Sequence, residues 1–385
     1  MSFRQALYWC HLCAAVVAGV IILTMSATGV ILTYEKQMIE MAEPIVSYTK
    51  PIQPLALDTI ISDAKEAKSE AAPSTITLHN DPEKAIEVRY GRSGRLYFDP
   101  YSGENLGEGP EGLRSFLSTT MQFHRWFALQ GEARNTGRFF TNIANLIFLF
   151  ILVSGLYLWL PRVFKWQNFK KVLFFQKTKT TKARDFNWHH VMGIWSAIPL
   201  IIIVATGTVF YYKWANDLIY QLAGEAPPVR GRSSAIDTPA TPIDGPLPIQ
   251  SLLEQALNQL EINETSWRTI SFNLPNDTSQ TMAFNIYGGY GGEITKRSSL
   301  TLDRTSGGLE SWQTFGDNTP GRQARLYVRF LHTGESLGLV GQTLAGIVSL
   351  AALFLIWTGI ALAWRKYIRP LLNNRNNKTQ QQSQP

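Results

Sequence analysis

The chain has 385 residues, 45% of them hydrophobic, and a net charge of +7. Its mean hydropathy of -0.06 is near zero although the sequence contains four long apolar runs, so large polar segments must alternate with those runs. Fourteen of the 36 basic residues, but only one of the 29 acidic residues, fall at position 4, within 161–188 or after 363. This clustering beside apolar runs excludes a nucleic-acid-binding role, because the other segments are net acidic.

The four apolar runs each predict a membrane-spanning helix. A bilayer core of about 30 Å needs roughly 20 residues at about 1.5 Å per residue, and each run is that long. The first run is longer than the ~7–15 residue core of a signal peptide, so we expect a retained helix. The predicted spans are residues 14–34, 139–160, 189–213 and 337–364.

The basic segments predict the topology. Lys and Arg concentrate in cytoplasmic loops, so the N-terminus (1–13), the 161–188 loop and the 365–385 tail are predicted to be cytoplasmic. The tail contains the low-complexity segment 373–385 and is predicted to be disordered. Residues 35–138 and 214–336 then face outward. Tryptophans fit an aromatic belt at the membrane boundary, at positions Trp126, Trp159, Trp188 and Trp364.

The two outward segments predict similar α+β domains. Each contains a helical pattern, three alternating strands and a D-x-x-S-G turn, which is Asp99 to Gly103 in the first and Asp303 to Gly307 in the second. The first copy has a helix at 55–69 and strands at 74–78, 85–90 and 95–98. The second has a helix at 247–260 and strands at 269–273, 281–286 and 298–302. The predicted fold is a four-helix membrane bundle with a two-fold internal repeat and two such domains.

The spans also repeat. His11 precedes Gly29 by 18 residues, and His189 precedes Gly207 by the same number. Eighteen residues make five helical turns, so each histidine and its glycine share one face, about 27 Å apart. The second and fourth spans carry small-residue pairs with a glycine, which are Ser154-Gly155 and Thr358-Gly359.

Five of the six histidines lie near ends of the apolar runs. The topology places His11 with His189 or His190 on the cytoplasmic side, and His124 with His332 on the outer side. Ionisable residues at membrane depth are usually functional, and two imidazoles fill both axial positions of a haem. The sequence therefore predicts two haems. They are b-type, because the motif Cys10-His-Leu-Cys13 lacks the C-x-x-C-H of covalent attachment.

Several residues have two interpretations. A single histidine at the membrane edge is often an interfacial anchor. The occurrence of four such histidines in a twofold pattern is what favours haem ligation. Gly29 and Gly207 could lie against the outer macrocycle, and Gly155 and Gly359 against the inner one, or all four could only permit close helix packing. Similarly, Arg125 and Arg329 could pair with haem propionates or be solvated. The sixth histidine, His79, falls in a strand and is predicted to lie at the surface.

Four motifs resemble the PepSY-associated transmembrane family of bacterial inner membranes: Phe123-His-Arg-Trp126, Ser154-Gly-Leu-Tyr-Leu-Trp-Leu-Pro-Arg162, His189-His-Val-Met-Gly193 and Leu331-His-Thr-Gly334. The resemblance implies PepSY-type periplasmic domains and a role in reducing imported iron. Within the family, the chain is most similar to ferric-siderophore reductases of ferrioxamine uptake. The family's His-x-x-x-Gly pattern selects His189 over His190 as ligand. His11 has Ala15 where that pattern has glycine, and it is the first-helix equivalent.

The expected function is that of a di-haem oxidoreductase in the inner membrane. A separate cytoplasmic or membrane donor would reduce the His11–His189 haem, and the His124–His332 haem would reduce a ferric siderophore, of hydroxamate type, between the outer domains. No side chain need act as acid or base, because the haem carries the chemistry. The alternatives are a haem carrier for another periplasmic acceptor and a non-redox envelope protein whose outer domains bind partner proteins.

Overall fold

The computed structural model describes residues 1–46, 53–228, 245–289 and 292–371. The predicted disordered segment 373–385 lies outside the described residues. The chain divides into two compact units. The helical unit comprises Met1–Tyr34, Phe116–Asn216 and the residues from Leu331 onward, and the sheet unit comprises Glu35–Ser115 and Asp217–Phe330.

The helices and strands of the described residues follow a similar order in both halves of the chain, with three helices, a group of strands and then further helices. In the first half they are α1 (Phe3–Leu32), α2 (Glu35–Ala42), α3 (Leu57–Ala67), β1 (Thr75–His79), β2 (Ile86–Arg89), β3 (Arg95–Phe98), α4 (Glu111–Trp126), α5 (Ala133–Trp159) and α6 (Trp166–Leu173). In the second half they are α7 (Thr181–Val209), α8 (Lys213–Leu222), α9 (Ile249–Ile262), β4 (Thr269–Asn273), β5 (Thr281–Tyr287), β6 (Arg297–Asp303), β7 (Leu309–Thr314), α10 (Pro320–His332) and α11 (Gly338–Ala363).

Among the described residues, four helices are long and apolar enough to cross a membrane, which agrees with the prediction of four spans. They are α1, α5, α7 and the segment Glu335–Leu371 that contains α11. Helix α1 packs against α5 and α11, and α7 packs against the same two helices. The helices α1 and α7 therefore occupy opposite corners of a four-helix bundle.

Two of these helices begin well before the predicted spans. Ser2 caps α1 by accepting a hydrogen bond from the backbone N–H of Gln5, whose side chain returns a bond to the Ser2 backbone. Thr180 caps α7 through the N–H of Ala183. As a result, His11 lies two turns inside its helix.

The chain stays helical where the sequence predicted a disordered tail. After α11 it forms a π-helix at Trp364–Ile368 and continues as helix to Leu371. Tertiary contacts hold this part: the Arg365 guanidinium pairs with the Asp185 carboxylate, and the Tyr367 hydroxyl lies 3.1 Å from that of Tyr8. The prediction of disorder is therefore wrong for residues 365–371.

In the sheet unit, the strands form one sheet where the sequence predicted two separate ones. The order is β3-β2-β1-β4-β5-β6-β7, and neighbouring strands run antiparallel. The β1–β4 pairing, from Thr75 opposite Asn273 to His79 opposite Thr269, joins the two repeats. This pairing removes two exposed edges that separate sheets would have, which explains the merger physically.

The helices α3 and α9 also link the repeats. The Asp58 carboxylate on α3 accepts hydrogen bonds from the backbone N–H groups of Ile249 and Gln250 at the start of α9, at 3.0 and 2.9 Å. In return, the Gln250 side chain accepts a bond from the N–H of Leu57. A side chain at the start of each helix thus accepts hydrogen bonds from unpaired backbone N–H groups in the first turn of the other helix. Both helices bury their apolar sides against one face of the sheet.

The two D-x-x-S-G segments form the same turn. The carboxylates of Asp99 and Asp303 each accept two backbone N–H groups two and three residues on. The turns close at Gly103 and Gly307, whose φ angles of 76° and 72° favour glycine. Strand β7 follows the second turn and was not predicted, because its exposed edge sequence gives little apolar alternation.

Candidate functional site

Four histidines of the helical unit each meet a hydroxyl-glycine pair on a neighbouring helix. In each case the histidine Nδ1 lies within hydrogen-bond distance of a Ser or Thr hydroxyl, and its Cε1 faces the glycine next to that residue. The four contacts are His11 with Ser154-Gly155 at 2.9 Å, His124 with Thr28-Gly29 at 3.0 Å, His189 with Thr358-Gly359 at 3.0 Å and His332 with Thr206-Gly207 at 3.4 Å.

This arrangement determines which ring nitrogen is free. Each hydroxyl donates its only proton to a carbonyl one turn back in its own helix; Ser154, for example, donates to Phe150 at 2.7 Å. The hydroxyl oxygen must then accept the Nδ1–H of the imidazole. For His332 the Ile203 carbonyl, 2.8 Å from Nδ1, also accepts this proton. We infer from this network that all four rings carry the proton on Nδ1 and a lone pair on Nε2.

The glycines let the imidazole rings approach the neighbouring helix. A Cβ built on Gly207 would lie 3.2 Å from the Cε1 of His332, and one built on Gly155 would lie 3.3 Å from that of His11. A Cβ built on Gly359 would lie 3.4 Å from the Cε1 of His189, and one built on Gly29 would lie 3.6 Å from that of His124. The predicted glycines therefore group with the predicted histidines. Their contact in the structure is with the imidazole edge, which gives the pairs a purpose besides general helix packing.

The loop-side site is formed by His11 and His189, at the end of the bundle that bears the 161–188 loop. Both line a cavity of about 920 Å³. This volume lies at the upper end of the range for ligand sites, roughly 300–1,000 Å³. Most lining residues are apolar or aromatic, and the backbones of Gly19 and Gly193 are also exposed to the cavity. No neighbouring atom lies within 4 Å of a Cβ built on Gly19.

Cationic and phenolic side chains lie at one end of this cavity. Arg4 lines it and donates to the carbonyls of Leu158 and Leu160, at 2.6 and 2.7 Å. Lys366 also lines it, 4.7 Å from the ring centre of Tyr8. An apolar cavity with cations at one end suits a flat apolar group that carries carboxylates. In the sequence, Arg4 contributes only to the distribution of basic residues, and nothing marks Tyr8 or Tyr367 as cavity residues.

The domain-side site is formed by His124 on α4 and His332 on α10. Their ring centroids are 6.5 Å apart, and the ring planes differ by 65°. An imidazole nitrogen bonds a metal at about 2.0 Å, so two imidazoles on opposite sides of one metal ion have centroids roughly 6–6.5 Å apart. The separation of the two rings would therefore let His124 and His332 both bind the iron of one haem. Among the described residues, no three or more His, Cys, Asp or Glu side chains are grouped as a metal site.

Other polar residues surround the domain-side site. The buried Asn145 of α5 donates to the Val204 carbonyl at 3.0 Å, and its oxygen lies near Gly207. Arg125 and Arg134 lie over the indole of Trp126, at 5.3 and 4.2 Å. Arg125, predicted as a propionate partner, is thus engaged with an aromatic ring. The other predicted partner, Arg329, belongs to the sheet unit, where its guanidinium lies over the Phe330 ring.

The remaining histidines have different surroundings. His190 lines the same cavity as His189, but its Nδ1 bonds the Phe186 carbonyl of its own helix at 2.9 Å. His79 lies on β1 of the sheet unit and is half-buried, which lowers the pKa of its imidazole. Of these two, only His190 is close to the loop-side site. Cys10 and Cys13 are exposed free thiols.

Comparison with known proteins identifies the family. The model of the PepSY-associated TM region matches residues 8–366, which is nearly the whole chain. The chain belongs to this family. The matched range includes both histidine sites and the seven strands of the described residues. No curated protein matches the chain significantly.

Proposed function

We propose that this protein is a di-haem reductase that passes electrons across the bacterial inner membrane to a ferric siderophore. Two histidine pairs with Nδ1 engaged and Nε2 open carry the proposal, and the 6.5 Å separation of His124 and His332 is its most direct support. The proposed orientation, with both termini in the cytoplasm and the sheet unit in the periplasm, rests on the distribution of basic residues.

The residues of the chain would bind and orient the cofactor. His11 and His189 would hold one haem b, and His124 and His332 the other. The Ser and Thr hydroxyls fix the imidazole tautomer, as second partners of metal-bound histidines commonly do. A haem held by these histidine pairs would supply one-electron transfer.

The proposed substrate is a ferric hydroxamate. One electron converts its Fe(III) to Fe(II), which hard hydroxamate oxygens bind less well, so iron is released. The electron comes from a separate cytoplasmic or membrane donor.

A pyridine haemochrome assay on the purified protein tests the cofactor. We expect two haem b per chain in the wild type and about one in His189→Ala. The variants His190→Ala and His79→Ala should keep two, since the His190 Nδ1 bonds a carbonyl of its own helix and His79 lies on β1 of the sheet unit. A preparation without haem would refute the proposal and favour a non-redox protein.

Stopped-flow mixing with acceptors tests the substrate. The dithionite-reduced protein should be reoxidised anaerobically by a ferric hydroxamate. If the haem-loaded, reduced protein is not reoxidised by ferric chelates, it would instead be an electron carrier for another acceptor.

A further inference from the structure

The short helix α6, in the loop between the second and third spans, has an unusual C-terminal end. The last carbonyls of a helix lack partners within it and normally bond water. Here the neighbouring spans supply side-chain donors to four successive carbonyls. These bonds run from Asn187 to Lys171 (2.9 Å) and Phe174 (3.1 Å), from Trp159 to Val172 (3.4 Å) and from Trp195 to Leu173 (2.9 Å).

The donors show where this helix end lies relative to the bundle. Trp195 is six residues beyond His189, about 9 Å further along α7 and inside its apolar part. Its indole is 66% exposed on the bundle surface, yet its N–H is used by the Leu173 carbonyl. Full internal satisfaction of backbone carbonyls is what a lipid environment requires. The C-terminal end of α6 meets this requirement at the carbonyls of residues 171–174.

The outer surface of the same segment is apolar. Large side chains on both sides of α6 and at its start are about half exposed or more, and these are Val163 (53%), Phe164 (73%), Trp166 (67%), Phe174 (48%) and Phe175 (58%). Such a group of aromatic residues beside the end of a span is typical of a helix that lies in the membrane interface.

The segment is also strongly basic. Eight Lys and Arg residues and one acid, Asp185, occur within 161–188. Asp185 is fully buried and paired with Arg184 and Arg365, so it does not neutralise the lysines. Lys170 and Lys171 lie on the exposed side of α6. Positive charge at this depth attracts anionic headgroups.

We propose that residues 162–175 form an in-plane membrane anchor that binds anionic phospholipid headgroups. The aromatic side chains enter the acyl region, and the lysines extend to the phosphates. Because Arg162 and Val172 line the loop-side cavity, the bound lipid also supports one wall of that cavity. The proposal is independent of haem binding.

The first test measures the depth of the segment in the full chain. Spin labels are placed by Phe164→Cys or, as control, Lys179→Cys in a Cys10→Ser, Cys13→Ser background, in nanodiscs containing phosphatidylcholine and phosphatidylglycerol. We expect oxygen to relax the label at 164 more than a water-soluble nickel complex does, and the reverse at 179. Nickel dominance at both positions would overturn the anchor.

The second test measures lipid selectivity by native mass spectrometry. The pair Lys170→Gln, Lys171→Gln should lower phosphatidylglycerol retention on the order of tenfold, because each lysine near a membrane surface adds to the attraction. The control pair Lys177→Gln, Lys179→Gln changes the charge equally but lies outside α6, and it should lower retention by less than about threefold. Equal losses in both pairs, or no loss in the first, would contradict specific binding by α6.

Discussion

At the scale of single residues, the glycines of the hydroxyl-glycine pairs differ in how closely an imidazole approaches them. Gly29 and Gly207 both belong to the domain-side site, but a Cβ would lie 3.6 Å from His124 in the first case and 3.2 Å from His332 in the second. Gly207 also has the Asn145 oxygen at 3.3 Å. The two positions therefore form a matched pair. Each glycine follows a threonine that contacts a histidine Nδ1, but the space between the glycine and the imidazole is smaller at Gly207.

We predict that Gly207→Ala disturbs the domain-side site and that Gly29→Ala does not. The new methyl group at 207 requires the His332 ring to shift by a few tenths of an ångström, whereas the one at 29 makes an ordinary contact. The measurement is haem content together with the low-spin absorption band. Gly207→Ala should lose most of one haem per chain, and Gly29→Ala should keep two. Equal behaviour of the two variants would show that imidazole spacing does not explain these glycines.

At the scale of elements, one buried ion pair joins α7 to the helix that follows α11. The Asp185 side chain is fully buried, while its partners Arg365 and Arg184 are 26% and 39% exposed. The pair therefore joins α7, which carries His189, to the π-helix that directly continues α11, which carries Thr358.

Asp185→Asn should lower the free energy of unfolding of the helical unit by roughly 2 kcal/mol. This is less than the ~3–5 kcal/mol typical of breaking a fully buried pair, because the Arg365 side chain remains partly exposed to water. Thermal unfolding in detergent measures the effect. Arg184→Gln is the control and should cost under about 1 kcal/mol, since its guanidinium is more exposed. A larger loss in Arg184→Gln would show that the contact with Arg365 is not the main one.

In the sheet, a buried carboxylate links strands β2 and β3. Burial alone would raise the pKa of Glu87, but the neighbouring Arg89, Arg95 and Arg114 outweigh it, and the net effect lowers the pKa. Its oxygen lies 2.8 Å from Arg89 and 2.6 Å from Arg95. Because the folded pKa is below the unfolded one, the ionised group stabilises the fold above the unfolded pKa of about 4.3. That stability is lost as the pH falls through the folded pKa.

Glu87→Gln should therefore lower the unfolding temperature at neutral pH, and its difference from the wild type should shrink below about pH 4. Thermal melts across the pH range measure this difference. Glu66→Gln, an exposed position on α3, is the control and should differ little at any pH. A Glu87→Gln difference that is constant with pH would mean that the charge of the carboxylate is not what stabilises the strands.

At the scale of the whole molecule, the two histidine sites lie at opposite ends of the spans. Thr28 contacts the domain-side His124 near the end of α1, whereas His11 lies near its start. Seventeen residues of helix separate these positions, about 25 Å. If the proposed function is correct, the two sites act in series and their loss has different consequences.

In oriented vesicles with donor on the 161–188 side, His11→Ala and His124→Ala should both abolish reduction of an external ferric hydroxamate, measured by trapping Fe(II) with a colorimetric ligand. Protein that has been reduced by dithionite and then freed of excess reductant should reduce the chelate in His11→Ala but not in His124→Ala, because only the first variant keeps the domain-side site. His79→Ala is the control and should retain activity. Full activity of His124→Ala would remove this site from the electron route.

The sequence by itself determined the features that depend on short stretches of chain. Apolar runs set the four spans, because crossing a membrane needs a fixed helix length. The D-x-x-S-G turns followed from local carboxylate bonding and from glycine at positive φ. The spacing of His11 and His189 to their glycines indicated candidate residues for the same reason, since helical periodicity is local.

Only the tertiary structure decided which of these residues meet. The glycine that shares a helix face with His11 is Gly29, yet His11 contacts Gly155, which is 144 positions away in sequence on another helix. The joining of β1 to β4 and the support of α6 by Trp195 are likewise contacts between distant segments. Hydropathy and periodicity describe what one segment prefers to bury. The partner is fixed by how the helices and strands pack, because packing has to satisfy every segment at once.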